Sequence, residues 1–340
     1  WWLAPNAPPI ELGQWDQVGV HLGLMPDGHV VTWGAAADVL TPMTSSLLGL
    51  DGAVSLTFAG VAAYGTSFIG WSDTMSGANQ VVDVLAGGPP DFMSAAGEQI
   101  ADVSVSGGDI YIASDSAAYY SAGPSMQSTL CTFSGTEAPT SIAGTGGRNG
   151  YVATFDRSTM ATAMYEFQTS LASTACTSMA PPPGRVIALA TSASGELYAA
   201  VLDPPMLGVE HLDTQTNTWE ALHAIPDNQG KDLAVLPDGT IVLCGQDHIS
   251  IGVASNGLLT WTDLATGARR ASGTSATDIW FTEAVAREAV MAGLAHWNGN
   301  DLAPVNEITT SPSAAVAATP DVVMLANGAN IYALVRFPIQ

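Results

Sequence analysis

Histidines beside carboxylates are the residues in this chain best suited to chemistry. An imidazole titrates near neutral pH, and a carboxylate that orients it lets it move protons or bind a metal. His29 lies two residues from Asp27, and His248 follows Asp247. These four are the candidate site residues, placed at the mouth of a channel if the turns carrying them converge. Asp109, Asp238, Asp278 and Asp321 sit in similar turns, which we expect at the same end of the fold. Aspartate is also a plain turn former in such places. A metal site needs three or four ligands meeting in space. The histidines His21, His29, His211, His223, His248 and His296 are spread along the chain, so isolated strand-end histidines are the favoured reading. We expect no metal and no cofactor.

Other signatures are missing. There is no Gly-X-Ser-X-Gly, His-Glu-X-X-His, Cys-X-X-Cys or Ser-X-X-Lys. "NQGKDL" lacks the first glycine of a phosphate loop, and "GTGGRNG" (144–150) leads into a strand, so its glycines read as a turn. No catalytic residue is assigned. Trp33, Trp71 and Trp280, and then Trp219, Trp261 and Trp297, recur at similar places in repeated segments. Aromatic faces can stack on sugars, but this recurrence favours a packing role. The eleven methionines form no Met-X-X-Met cluster and read as gap fillers. Cys131 in "STLCTFSG" and Cys176 in "STACTSMA" share a context and are the candidate disulfide; Cys244 in "TIVLCGQ" reads as a buried thiol.

The elements that position these residues follow from a repeat. A turn containing Gly or Asp followed by an apolar strand occurs eight times. Examples are "PDGHVVTWG" (26–34), "SGGDIYIAS" (106–114) and "LPDGTIVLCG" (236–245). The centres are Val31, Phe68, Ile110, Val152, Leu197, Ile241, Ile279 and Val323, spaced 37 to 45 residues apart. Most copies are preceded by another strand-like run and followed by a hairpin. "GVEHLDTQTNTWEALHAIPD" (208–227) shows the hairpin plainly, with alternation on both sides of a polar turn. Four short strands in about 42 residues, with no regular helix, predict a β-propeller. The expected architecture is all-β, one domain over residues 1–340. Eight blades are favoured, seven are the alternative, and the ring closes between the N- and C-termini, with "WWLAP" supplying a strand. "TEAVAREAVMAGLA" (282–295) has helical propensity, but its second half reads better as a strand.

Three stretches carry a resemblance. "HLGLMPDGHVVTWG" resembles the repeat of RCC1-type propellers, and "HLDTQTNTWEAL" resembles the kelch outer hairpin. "VASNGLLTW" is similar to the Asp box of sialidases, with Asn256 in place of the aspartate. Each match covers one or two blades. The resemblance implies the generic β-propeller superfamily and little about activity.

Composition bounds the partners. Only 11% of residues are charged, and 31 acids against eight cations give −23. That excludes nucleic acid and anionic lipid surfaces, which need clustered cations. No apolar run is long enough to span a membrane. A chain starting at Trp1-Trp2 and poor in lysine fits an exported protein (periplasmic, outer-surface or extracellular), and the lack of an Asn-X-Ser/Thr sequon favours a bacterial source. With 47% apolar residues and little charge to cover the surface, part of it is expected to meet a protein partner. The first expectation is a non-catalytic interaction scaffold of a cell-envelope or surface assembly. The alternatives are a carbohydrate-binding propeller and an enzyme with an acidic site at the channel mouth.

Overall fold

The computed structural model describes residues 21–24, 30–33 and, with short interruptions, 58–337. Every regular element among them is a strand. Stretches 58–93, 100–132, 137–179, 185–226, 230–264 and 270–309 each form a four-stranded sheet whose spatial order follows the chain. Neighbouring strands in these sheets are antiparallel, as short hairpins require. The next sheet has five strands. Ala315–Ala318, Val322–Asn327 and Asn330–Phe337 come in chain order, followed by Val30–Trp33 and His21–Leu24. The fold is a single all-β propeller of four-stranded blades.

The first strands of the sheets are the innermost. Phe58–Tyr64, Ile100–Ser106, Glu137–Gly146, Arg185–Thr191, Gly230–Val235, Arg270–Ser275 and Ala315–Ala318 lie side by side in that order, and the last also lies against the first. Second strands are apolar nearly throughout. Ile241–Gly245 is buried at every position, and so is Asp109–Ser114 after its first residue. Both faces of these strands are covered by neighbouring sheets, so alternation gives way to continuous apolar runs. One junction packs Val242, Ile249 and Ile251 against Ile279, Phe281 and Trp297. Another packs Trp280 and Leu294 against Val316, Val323 and Leu325. Fourth strands such as Thr218–Pro226 and Leu258–Leu264 expose much of their length.

Eight blades are not found. Six four-stranded blades and one five-stranded sheet hold all the described strands. Seven expected centres, Phe68 to Val323, do lie on second strands. Val31 founds no sheet of its own. It pairs with Arg336, so its strand extends the last sheet. The local pattern is the same, but the hydrogen-bond partner comes from the other end of the chain. Trp1–Pro5 lie outside the described residues, and the strand beside Asn330–Phe337 is Val30–Trp33. In the segment of helical propensity, Asp278–Ala284 and Gly293–Trp297 are strands, and 285–292 lie outside the described residues.

The hairpin at 208–227 pairs Met206–Asp213 with Thr218–Pro226. Asp213 fastens its turn by accepting from Gln215 N at 2.8 Å and Thr216 Oγ1 at 2.7 Å. The tryptophans serve packing. Trp280 is fully buried, and Trp219 Nε1 donates to Ala180 O at 3.0 Å. Trp261 lies flat across Gly252, where a Cβ would come within 2.8 Å of the ring. Its indole also stacks on His223 at 4.4 Å. A disulfide joins Cys131, on the outer strand of the second sheet, to Cys176 on the outer strand of the third. Cys244 is a buried free thiol, and burial pushes its pKa well up.

Candidate functional site: a charged central channel

The innermost strands of all seven sheets line one cavity of about 350 Å³. Most of the residues around it are small and apolar, but the surface it presents is more polar than apolar. Its charges sit at one end, where the inner strands begin. Asp102 is the third residue of Ile100–Ser106, Lys231 and Asp232 are the second and third of Gly230–Val235, and Arg270 opens Arg270–Ser275.

Local backbone irregularity aims the two acids. The pairing register shifts between Ile100 and Asp102, between Pro139 and Ser141, and between Gly230 and Asp232. A bulge adds twist and re-aims the residue that follows it. Each of these residues then reaches the next sheet. Asp102 Oδ2 accepts from Ser141 Oγ at 2.7 Å and from Ile142 N at 3.0 Å. Ser141 Oγ accepts from Leu189 N at 2.9 Å. Asp232 Oδ2 accepts from Ala271 N at 3.0 Å, and its Oδ1 accepts from Arg270 Nη1 at 3.1 Å. Ser272 Oγ accepts from Ala318 N at 3.0 Å. These bonds stitch the second sheet to the third and fourth, and the fifth to the sixth and seventh.

Electrostatics follow from this enclosure. Burial pushes the Asp102 carboxyl above its usual range, although the bond from Ser141 and the charge of Arg270 pull the other way. Burial would lower Arg270, but Asp232 and Asp102 outweigh it and hold the guanidinium above its ordinary value. Both acids accept backbone N–H bonds between sheets, so they act as stitches, and the arrangement is suited to binding more than to proton transfer.

The candidates read from sequence lie elsewhere. Asp27 and His29 are outside the described residues, as is Asp321. Asp247 and His248 occupy the turn between second and third strands of the fifth sheet and are not part of the channel wall. Asp109, Asp238 and Asp278 lie at turns between first and second strands. In an antiparallel sheet these two kinds of turn fall at opposite ends, so the acids do not gather at one end as expected. Nor is Asp247 the partner of His248. Asp227, buried in the preceding loop, accepts from Asp247 N at 2.8 Å and His248 N at 3.2 Å. His223 meets Asp263 at 2.9 Å, and His296 meets Asp278 at 3.0 Å. Among the described residues, no group of three or more ligand-type side chains could hold a metal ion.

Another acid at the head of an inner strand was missed. Glu98 accepts from Ser116 Oγ at 2.9 Å, Tyr119 OH at 3.2 Å and Ala95 N at 3.1 Å, and also from Ser114 Oγ. Glu137 does the same in the next sheet with Thr154 Oγ1 and Tyr165 OH. Burial raises the Glu98 carboxyl, but the donors win and its pKa falls below the ordinary 4.5. A lowered carboxylate adds stability that is present above its unfolded-state pKa and is lost as pH falls through the folded-state value. We therefore expect the wild type to lose stability more steeply than Glu98→Gln in urea titrations as pH falls below about 4.5. Parallel curves would refute this.

No family model matches the chain, and no curated protein matches it in sequence. Solved structures do. The β-propeller domain of Cps50 (Swd1) from Myceliophteria thermophila is 11% identical with a TM-score of 0.58, over 83% of this chain and 97% of that one. YCF48, solved with a D1 peptide bound, is 14% identical with a TM-score of 0.56, over 83% and 94%. A chain of a mitotic checkpoint complex is 13% identical with a TM-score of 0.55, over 79% and 86%. At such identities the likeness shows the fold, a β-propeller, and that alone.

Proposed function

We propose that this protein is a non-catalytic scaffold that binds a cationic protein partner at its rim. The rim is the observation that carries the reading. Each four-stranded sheet ends on a fourth strand whose outer edge has no strand partner among the described residues. Such edges offer backbone donors and acceptors to an added strand. Leu258, the first residue of a fourth strand, and Met160, in a turn between second and third strands, stand 71% and 69% exposed. An excess of 23 negative charges favours a basic partner. YCF48, solved with a D1 peptide bound, and the chain of the checkpoint complex lend support by analogy of fold.

The five-stranded sheet reads as a seventh blade, completed by the strand Val30–Trp33, so that the ring closes between the termini. The Cys131–Cys176 disulfide supports export, because such bonds persist in oxidising compartments. A carbohydrate ligand would need a free aromatic face, and Trp261, half-buried, has its ring committed to Gly252 and His223.

Affinity purification of the native protein with mass spectrometry tests the reading. The expected result is a stoichiometric basic partner that elutes in about 0.5 M NaCl. A clean monomer, with a glycan array that lights up, would replace it.

A further inference from the structure

We propose that the central channel binds a small carboxylate, held by Arg270. A guanidinium carries five N–H donors in a planar fork. Among the described residues Arg270 makes one side-chain hydrogen bond, from Nη1 to Asp232. The rest of the fork is open to the lumen, where the side chain is 32% exposed although protein surrounds it. The two acids do not use it up. Asp102 accepts from Val103 N, Ser141 Oγ and Ile142 N, and the second oxygen of Asp232 accepts from Ala271 N. The acids are supplied with donors while the cation lacks acceptors. A carboxylate presents two oxygens at the spacing of the fork.

The distribution of positive charge points the same way. The chain has one lysine, Lys231, and seven arginines. Lys231 and Arg270 both line the cavity, at the same end. Lys231 Nζ donates to Gln229 Oε1 at 2.9 Å, which leaves two of its three donors for a ligand or water. Deeper in, the wall is Val105, Ala190 and Val235, with the hydroxyls of Ser104 and Thr191. The site therefore suits an anionic head on a short tail that meets both apolar and hydroxyl groups. Its volume of about 350 Å³ lies within the range of small-molecule sites.

Calorimetry tests this with sodium hexanoate and sodium benzoate, and with hexanamide as the neutral control. A pentapeptide with a free or an amidated C-terminus separates a free acid from a chain end. We expect at least one carboxylate to bind with a Kd below about 1 mM, and its amide to bind at least about tenfold more weakly. Arg270→Gln should lose a similar factor. That variant also breaks the bridge to Asp232, so Ala101→Phe provides a second reading. Ala101 is exposed on the channel wall beside Asp102, and a phenyl ring there fills the mouth while leaving Arg270 in place. It should bind about tenfold more weakly with an unchanged Tm. No binding of any carboxylate by the folded wild type overturns the proposal, and so does full binding by both variants. Neither result depends on whether a protein partner is found at the rim.

Discussion

Removing the Cys131–Cys176 disulfide should lower stability by about 4 kcal/mol. The bond closes a loop with a sequence separation of 45. In the chain-entropy account, opening such a loop returns about 4 kcal/mol of freedom to the unfolded state. The place of the bond adds to its weight. It ties the outer strand Gln127–Thr132 to the outer strand Thr174–Met179, at the rim, where neighbouring sheets have the least surface to share. Cys131 is itself buried beside Leu130, Phe167 and Tyr120. The measurement is a thermal melt of the wild type with and without dithiothreitol, and of Cys131→Ala/Cys176→Ala. A fall in Tm of about 5–10 °C is expected for a chain of this size. Thiol titration of the denatured, unreduced protein should find one thiol, Cys244, and three after reduction. An unchanged Tm in the double variant would show that packing alone holds the two sheets.

Asp278→Ala should cost about 3–5 kcal/mol. Asp278 is 7% exposed and serves at least three donors. Trp280 Nε1 lies 3.1 Å away and His296 Nε2 3.0 Å, and Thr274 Oγ1 binds the second oxygen. Trp280 and His296 are fully buried and in contact, with ring centroids 4.5 Å apart. Deleting the carboxylate leaves buried donors without acceptors, at about 1–3 kcal/mol each. Among the described residues His296 Nδ1 has no hydrogen-bond partner, so the bond to Asp278 is the one that holds its ring. The damage should reach the neighbouring sheet, since Trp280 packs on Val316, Val323 and Leu325. Urea unfolding followed by tryptophan fluorescence gives the number. Asp278→Asn should recover about half of it, because one acceptor oxygen remains. A loss under about 1 kcal/mol in the alanine variant would mean that water replaces the carboxylate.

The sequence showed its strands better than its site. A second strand such as "IVLCG" is legible because burial on both faces makes every position apolar. The hairpin at 208–227 is legible because its alternation and its turn are local. Val31 misled for the same reason. Its turn and strand match the other copies, and nothing nearby reveals that its partner is Arg336. The channel charges were harder to see. The two acids depend on register shifts, which belong to the pairing of two strands. A trace existed in "IADVSVS" and "KDLAVL", where an aspartate interrupts an apolar strand. A charge in such a place needs a partner, and that was the signal to follow. Adjacency was the poorer guide. Asp247 and His248 are neighbours in sequence, yet both donate a backbone N–H to Asp227.

The pairing of Val30–Trp33 with Asn330–Phe337 also sets a timetable for synthesis. The two partners are separated by roughly 300 residues, and a ribosome adding roughly 5–20 residues per second needs roughly 15–60 s to supply the second after the first. Throughout that interval the earlier strand has an open edge and the sheets between fold without it. A holdase that shields this edge would raise yield, and a strong stop late in the message would do disproportionate harm. A nascent chain cut before Asn330 would carry six finished sheets and an unmatched strand at either end, which is a template for joining one molecule to the next.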